Sequence, residues 1–204
     1  MSRILILYAT REGQTSRIAA RIAQVLQRAG HTVLSYPADA IPTELDPQAY
    51  AAVIVGASIH YGQHPRSLRK LLSRHSVALA TRPSAFFSVS LSGGGPGANP
   101  AAAQRYLDTF LRQTAWRPTH TAIFAGALQY SKYSAWKRLL MRLIVGMAGG
   151  DTDTARDYEY TDWVAVEDFA AAVAAGLQTD LTAQDSQADK TSTAPTVNRE
   201  NASR

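Results

Sequence analysis

The chain has no cysteine among its 204 residues. That excludes disulfides, thiolate-bound zinc, iron–sulfur clusters and thiol nucleophiles. No apolar run approaches the ~18–20 residues of a membrane span. The run Ile4–Leu7 is too short for a signal-peptide core, so a cytoplasmic location is expected. Familiar motifs are missing as well. There is no Gly-x-x-x-x-Gly-Lys-Ser/Thr for nucleoside triphosphates and no His-Glu-x-x-His for zinc, so no metal site is expected. Acids are the scarcer charge: 16 Asp and Glu face 21 Lys and Arg, giving a net charge of +5 and a pI near 9.6. Such a balance favours anionic partners. No nucleic-acid reader motif or aromatic base platform accompanies the cations, which argues against nucleic acid.

What is present alternates between apolar β-runs and helical periodicity. Strands are predicted at Ile4–Tyr8, Thr32–Tyr36, Ala52–Gly56, Ala85–Val89 and Thr121–Ala127. Between them, Ile18, Ile22, Val25, Leu26 and Ala29 form one helical stripe. A second, opened by Pro65, carries Leu68, Leu71, Leu72 and Leu79, and a third, capped by Asn99 with Pro100 at its first position, carries Tyr106, Leu107, Phe110 and Leu111. A last helix starts near Thr161 and buries Val166, Phe169, Ala170, Val173 and Leu177. Five strands alternating with helices predict an α/β fold, a doubly wound parallel sheet with ligands at the strand C-termini. The stretch of about 128–158 is too long for a simple connection and reads as an insertion. Residues 1–177 form the domain, and the polar segment 178–204 reads as a disordered tail.

The first strand runs into Thr10-Arg11-Glu12-Gly13-Gln14-Thr15 and then a helix. Free N–H groups and the positive end of the helix dipole make such a turn a phosphate cradle. Thr10 and Thr15 can donate hydroxyl bonds, and Gly13 lets the backbone approach an anion. An ordinary βα turn with a hydroxyl cap is the simpler reading. The loop after strand 3 (Ser58, Ile59, His60, Tyr61, Gly62) offers an aromatic ring, and the loop after strand 4 (Ser88, Val89, Ser90, Leu91, Ser92) offers backbone polar groups. A phosphorylated planar cofactor suits the three together, with Tyr61 stacking on its ring. A solvent-facing turn is the alternative for His60 and Tyr61.

With these motifs the chain resembles the flavodoxin-like proteins that bind FMN. Within that superfamily it is similar to the quinone-dependent protoporphyrinogen IX dehydrogenases of bacterial haem biosynthesis. The residues carrying the likeness are Thr10–Thr15, Gly56-Ala57-Ser58-Ile59-x-Tyr61-Gly62, Trp116-Arg117-Pro118, Ala125-Gly126-Ala127-Leu128-x-Tyr130, Gly149-Gly150-x-Thr152-Asp153-Thr154 and Tyr160-Thr161-Asp162-Trp163. The resemblance implies FMN held by the three loops, protoporphyrinogen IX as substrate and menaquinone or ubiquinone as acceptor. An electron-carrier flavodoxin and a general NAD(P)H:quinone reductase are the rival functions. Carriers are usually acidic, and this chain is basic. Glu12 stands where common flavodoxins carry a hydroxyl. It would repel a phosphate, so it is expected to turn outward, toward Arg11. The run Gly93–Gly97 is expected to be flexible.

In the insertion, Tyr133, Trp136, Leu140, Leu143, Ile144 and Met147 share a helical face, with Arg138 and Arg142 opposite and Lys137 at the border. Such a helix suits a membrane interface, or packing on its own domain or on a second copy of the chain. Trp136, Lys137, Arg138 and Arg142 are therefore candidates for substrate or membrane contact. A dehydrogenase of this kind would sit on the inner face of the bacterial cytoplasmic membrane. Lys132 joins the cations available for the two propionates. His60 and His64 are candidate proton acceptors, and no catalytic residue is assigned.

Overall fold

The computed structural model describes the backbone of residues 1–192. Five parallel strands form the sheet: β1 (Arg3–Ala9), β2 (Thr32–Pro37), β3 (Ala52–Ser58), β4 (Ser84–Ser90) and β5 (His120–Ala125), in the order β2-β1-β3-β4-β5. Every pairing is parallel, with Ile4 opposite both Val33 and Ala52, and Val55 opposite Phe86. Because successive side chains of a strand point to opposite faces, alternate residues feed two cores. Ile4, Ile6, Ile54, Phe87 and Phe124 pack beneath α1 (Gln14–Arg28) and α6 (Trp163–Ser192). Leu5, Leu7, Val53, Val55 and Phe86 pack on the other side, beneath α2 (Arg66–Arg74), α3 (Ser76–Ala80) and α4 (Pro100–Thr114). At about 1.5–3 kcal/mol for each large side chain fully buried, these two layers supply most of the driving force.

The helix opened by Pro65 differs from expectation: it ends at Arg74, and Leu79 rides on the separate α3. Asn99 caps α4 as predicted, its side chain accepting from the Ala102 N–H at 2.9 Å. The fifth strand stops at Ala125 rather than Ala127. Gly126 turns the chain out of the sheet, its N–H donating to the Ser90 carbonyl at 3.0 Å. Ala127–Leu128 (β6) then pairs antiparallel with Tyr158–Glu159 (β7). This two-stranded ribbon closes the insertion at its base.

Between the two strands lie a 3-10 turn and α5 (Ala135–Met147). The insertion has its own small core of Leu128, Tyr130, Tyr133 and Val145. Asp157 ties its two ends, accepting from the Ser131 N–H at 2.8 Å and the Ser131 hydroxyl at 2.6 Å. The glycine run is packed rather than loose. A Cβ on Gly95, whose φ is +86°, would stand 2.6 Å from the Tyr160 ring. The last helix continues to Ser192, past the Leu177 at which the apolar stripe ends. Ala, Gln and Lys there have good helix propensity. The rest of the predicted tail, 193–204, lies outside the described residues.

Candidate functional site

The first loop is built as an anion cradle. Gly13 is the N-cap of α1 in the left-handed conformation, φ +99°, and no side chain caps the helix. Thr10 Oγ1 instead accepts the Gly13 N–H at 3.0 Å, which folds the turn back over the helix end. The first-turn N–H groups therefore keep no side-chain partner while the dipole adds positive potential. Thr15 is buried, and its hydroxyl has no hydrogen-bond partner. Across the opening, the buried Ser90 hydroxyl is also unpartnered. An unmet buried hydroxyl costs about 1–3 kcal/mol. Two of them at one opening mark a place made for a polar ligand.

The second loop is a tight turn in which His60 and Gln63 exchange backbone hydrogen bonds of 2.9 and 3.1 Å. That holds Tyr61 at φ +48°, 81% exposed, with its ring 4.2 Å from that of His60. All residues of the three loops singled out from sequence line one cavity of about 300 Å³, except Gly13 and Ser88. Gly13 shapes the turn and has no side chain to offer. Ser88 lies further back along β4, where its hydroxyl is 3.0 Å from His64 Nε2. His64 is buried against Phe110, and burial pulls its pKa down to about 3. It is therefore a weak base, and it lines the neighbouring cavity rather than this one.

The cavity also recruits residues outside the three loops, of which the sequence offers only Lys137, as a substrate or membrane contact. Tyr106 of α4, Gly126 and Ala127 line it, as do Tyr133, Lys137, Leu140, Met141 and Ile144 of the insertion. The predicted apolar face of α5 is thus divided. Leu140 and the half-exposed Ile144 border the cavity, whereas Trp136 (73%), Leu139, Leu143 and Met147 (75%) are exposed and do not line it. Leu139 was absent from the predicted stripe.

Glu12 does not reach Arg11. Its carboxylate accepts from the Tyr133 hydroxyl and from Lys137 Nζ, each at 2.6 Å, and its carbonyl accepts from Lys132 Nζ at 3.2 Å. Burial, followed by the bond to Glu12 and its charge, raises the Tyr133 pKa well above the ordinary phenol value. Arg138 is likewise committed, donating to the carbonyls of Tyr130 at 3.2 Å and Tyr133 at 3.5 Å. Arg142 is exposed and makes no hydrogen bond or ion pair among the described residues. A larger neighbouring cavity of about 780 Å³ shares Thr10, Arg11, Ser58, His60 and Tyr61 with the first. His60 has a lowered pKa, through burial first and then the charge of Arg11, with Glu12 opposing.

A doubly wound sheet in this strand order, with an uncapped helix start and converging loops at its C-terminal edge, defines a flavodoxin-class protein. The chain belongs to the flavodoxin-domain family, which matches residues 5–155. It is 37% identical to protoporphyrinogen IX dehydrogenase [quinone] from Escherichia coli strain K12 over 174 residues, 84% of this chain and 94% of the relative. A Leishmania major protein of the same name is 36% identical over 178 residues, 85% of this chain and 75% of that one. Among solved structures, a flavodoxin from the domain Archaea shares the fold, with a TM-score of 0.50 at 12% identity, covering 86% of this chain and 99% of the other. The cofactor of the class is FMN, and the residues present fit it. The cradle and Thr15 suit its phosphate, and Tyr61, Ser90 and the walls from β4 and α5 suit its ring.

Proposed function

We propose that this chain oxidises protoporphyrinogen IX to protoporphyrin IX, a six-electron reaction of haem biosynthesis, with a quinone as acceptor. The observation that carries this reading is the 37% identity spanning 94% of a relative named for that activity. Bound FMN supplies two-electron redox chemistry, so the reaction takes three rounds. The chain supplies the binding and the surroundings. The α1 cradle holds the phosphate end, Tyr61 offers a ring face, and Leu140 and Met141 exclude water on the insertion side. His60 stands where the two cavities meet, in reach of a substrate proton. The basic pI and the insertion favour this reading over an acidic electron carrier.

The quinone is menaquinone or ubiquinone, and the exposed side of α5 brings the site to the membrane that holds it. Trp136, Leu139, Leu143 and Met147 supply an apolar edge and Arg142 a cation for acidic headgroups. The protein would then be cytoplasmic and peripheral to the inner face of the membrane, and a second copy of the chain is the competing cover for that edge. Anaerobic incubation of the FMN-loaded protein with protoporphyrinogen IX and a quinone tests the activity. Porphyrin fluorescence should rise only when the quinone is present. An unchanged tetrapyrrole with rapid cycling by a flavoprotein reductase would identify a carrier. Fast flavin bleaching by NAD(P)H alone would identify a general quinone reductase.

A further inference from the structure

We propose that the insertion supplies the cationic half of the cofactor's phosphate site, through Lys132 and Lys137. A phosphate monoester carries about two negative charges near neutral pH. The loop that cradles it contributes N–H groups and the Thr10 and Thr15 hydroxyls, yet it places a carboxylate, Glu12, in the same turn. Alone, Glu12 would weaken anion binding. Its surroundings reverse that effect. Lys137 Nζ pairs with the carboxylate at 2.6 Å while the residue lines the flavin cavity. Lys132 Nζ sits on the Glu12 carbonyl at 3.2 Å and lies 3.7 Å from where a Cβ on Gly13 would stand. One ammonium group thus meets the Glu12 carboxylate and a second its carbonyl, so the two lysines bring one more charge to the mouth of the cradle than Glu12 cancels.

Both lysines come from a segment outside the common sheet, more than a hundred residues further along the chain. Glu12 is therefore the anchor that holds two cations over the turn, in place of a hydroxyl that would touch the phosphate directly. The insertion wall of the cavity and the phosphate grip become one unit. Binding of the cofactor and docking of α5 are then coupled, each favouring the other. This inference concerns FMN and does not depend on the tetrapyrrole reading.

Riboflavin, which has the same ring without the phosphate, supplies the control. The full-length chain is stripped of flavin and titrated with FMN or riboflavin, with quenching of flavin fluorescence as the readout. Lys132→Gln and Lys137→Gln should each weaken FMN on the order of tenfold, and the double variant more, with riboflavin affinity within about twofold of the parent. Lys132→Arg should retain FMN affinity, and the double variant should show a flatter dependence on salt. If FMN and riboflavin weaken together, the lysines only latch the insertion and the inference fails. It fails equally if FMN affinity is unchanged in the double variant. Neither result bears on whether the loaded protein oxidises protoporphyrinogen.

Discussion

The Tyr133 hydroxyl donates to the Glu12 carboxylate at 2.6 Å, joining residues 121 positions apart in sequence. Tyr133 is buried, and its bond goes to a charged acceptor, a class that contributes about 1.5–3 kcal/mol. Tyr133→Phe should therefore lower unfolding stability by about 1–3 kcal/mol in urea titrations. It should also speed hydrogen exchange in 130–147 more than in the sheet. The alkaline limb carries a second signature. The folded Tyr133 pKa lies above the unfolded value near 10, so above that pH the unfolded chain releases a proton that the folded one keeps. Stability falls as pH rises there, and the phenylalanine variant should fall less steeply.

The Thr15 hydroxyl gives a prediction of opposite signs for two measurements. It is buried without a partner in the protein alone, so the apoprotein bears its desolvation. Thr15→Val keeps the shape and removes the unmet group. The flavin-free variant should melt at the same temperature as the parent or higher. Its FMN affinity should drop by about tenfold, the equivalent of about 1.4 kcal/mol. A variant less stable without flavin and unaltered in binding would show that the hydroxyl faces no ligand.

His64 should shape the acid limb of the stability curve. Its folded pKa is depressed to about 3, whereas the unfolded value is 6.5. Below pH 6.5 the unfolded chain takes up a proton that the folded chain refuses. The associated stability is present above that pH and is lost as pH falls toward 3. The slope is at most about 1.4 kcal/mol per pH unit from one group. His64→Gln should flatten the curve between pH 6 and about 4, in urea midpoints measured at constant ionic strength, even if it lowers stability at pH 7.

Much of the fold was legible because its signals are local. Ile4-Leu5-Ile6-Leu7 is apolar at every position since β1 is covered on both faces, and Pro100 and Asn99 announce α4 by their own chemistry. The three loops were legible for the same reason: they stand at the C-terminal ends of strands whose parallel direction follows from the alternation with helices. What escaped depends on long-range contacts. Glu12 shows nothing in its neighbourhood of Tyr133 and Lys137, and Arg138 reads as a cation for substrate or membrane until Tyr130 presents a carbonyl to it. Ser88 and Ser90 lie on one face of β4, and only their place along the strand separates them: Ser88 meets His64, while Ser90, at the strand's end, reaches the flavin cavity.

The outer edge of α5 makes the membrane proposal quantitative. Trp136, Leu139, Leu143 and Met147 are exposed on a helix that turns Met141 and Val145 toward the insertion core, so changes at the edge spare that core. Trp136→Ser with Leu143→Ser should reduce binding to vesicles containing acidic lipid by tenfold or more, since each buried large side chain contributes about 1.5–3 kcal/mol. Arg142→Gln should weaken binding to acidic vesicles by a few fold and leave neutral vesicles unaffected, about 1 kcal/mol being typical of one cation at such a surface. Arg138→Gln should act differently, because its guanidinium serves the Tyr130 and Tyr133 carbonyls. Its main effect should be a less stable insertion, read as faster hydrogen exchange of 130–147 without lipid. Should the serine pair leave vesicle binding unchanged while a concentration-dependent dimer dissociates, the apolar edge belongs to a contact between copies of the chain.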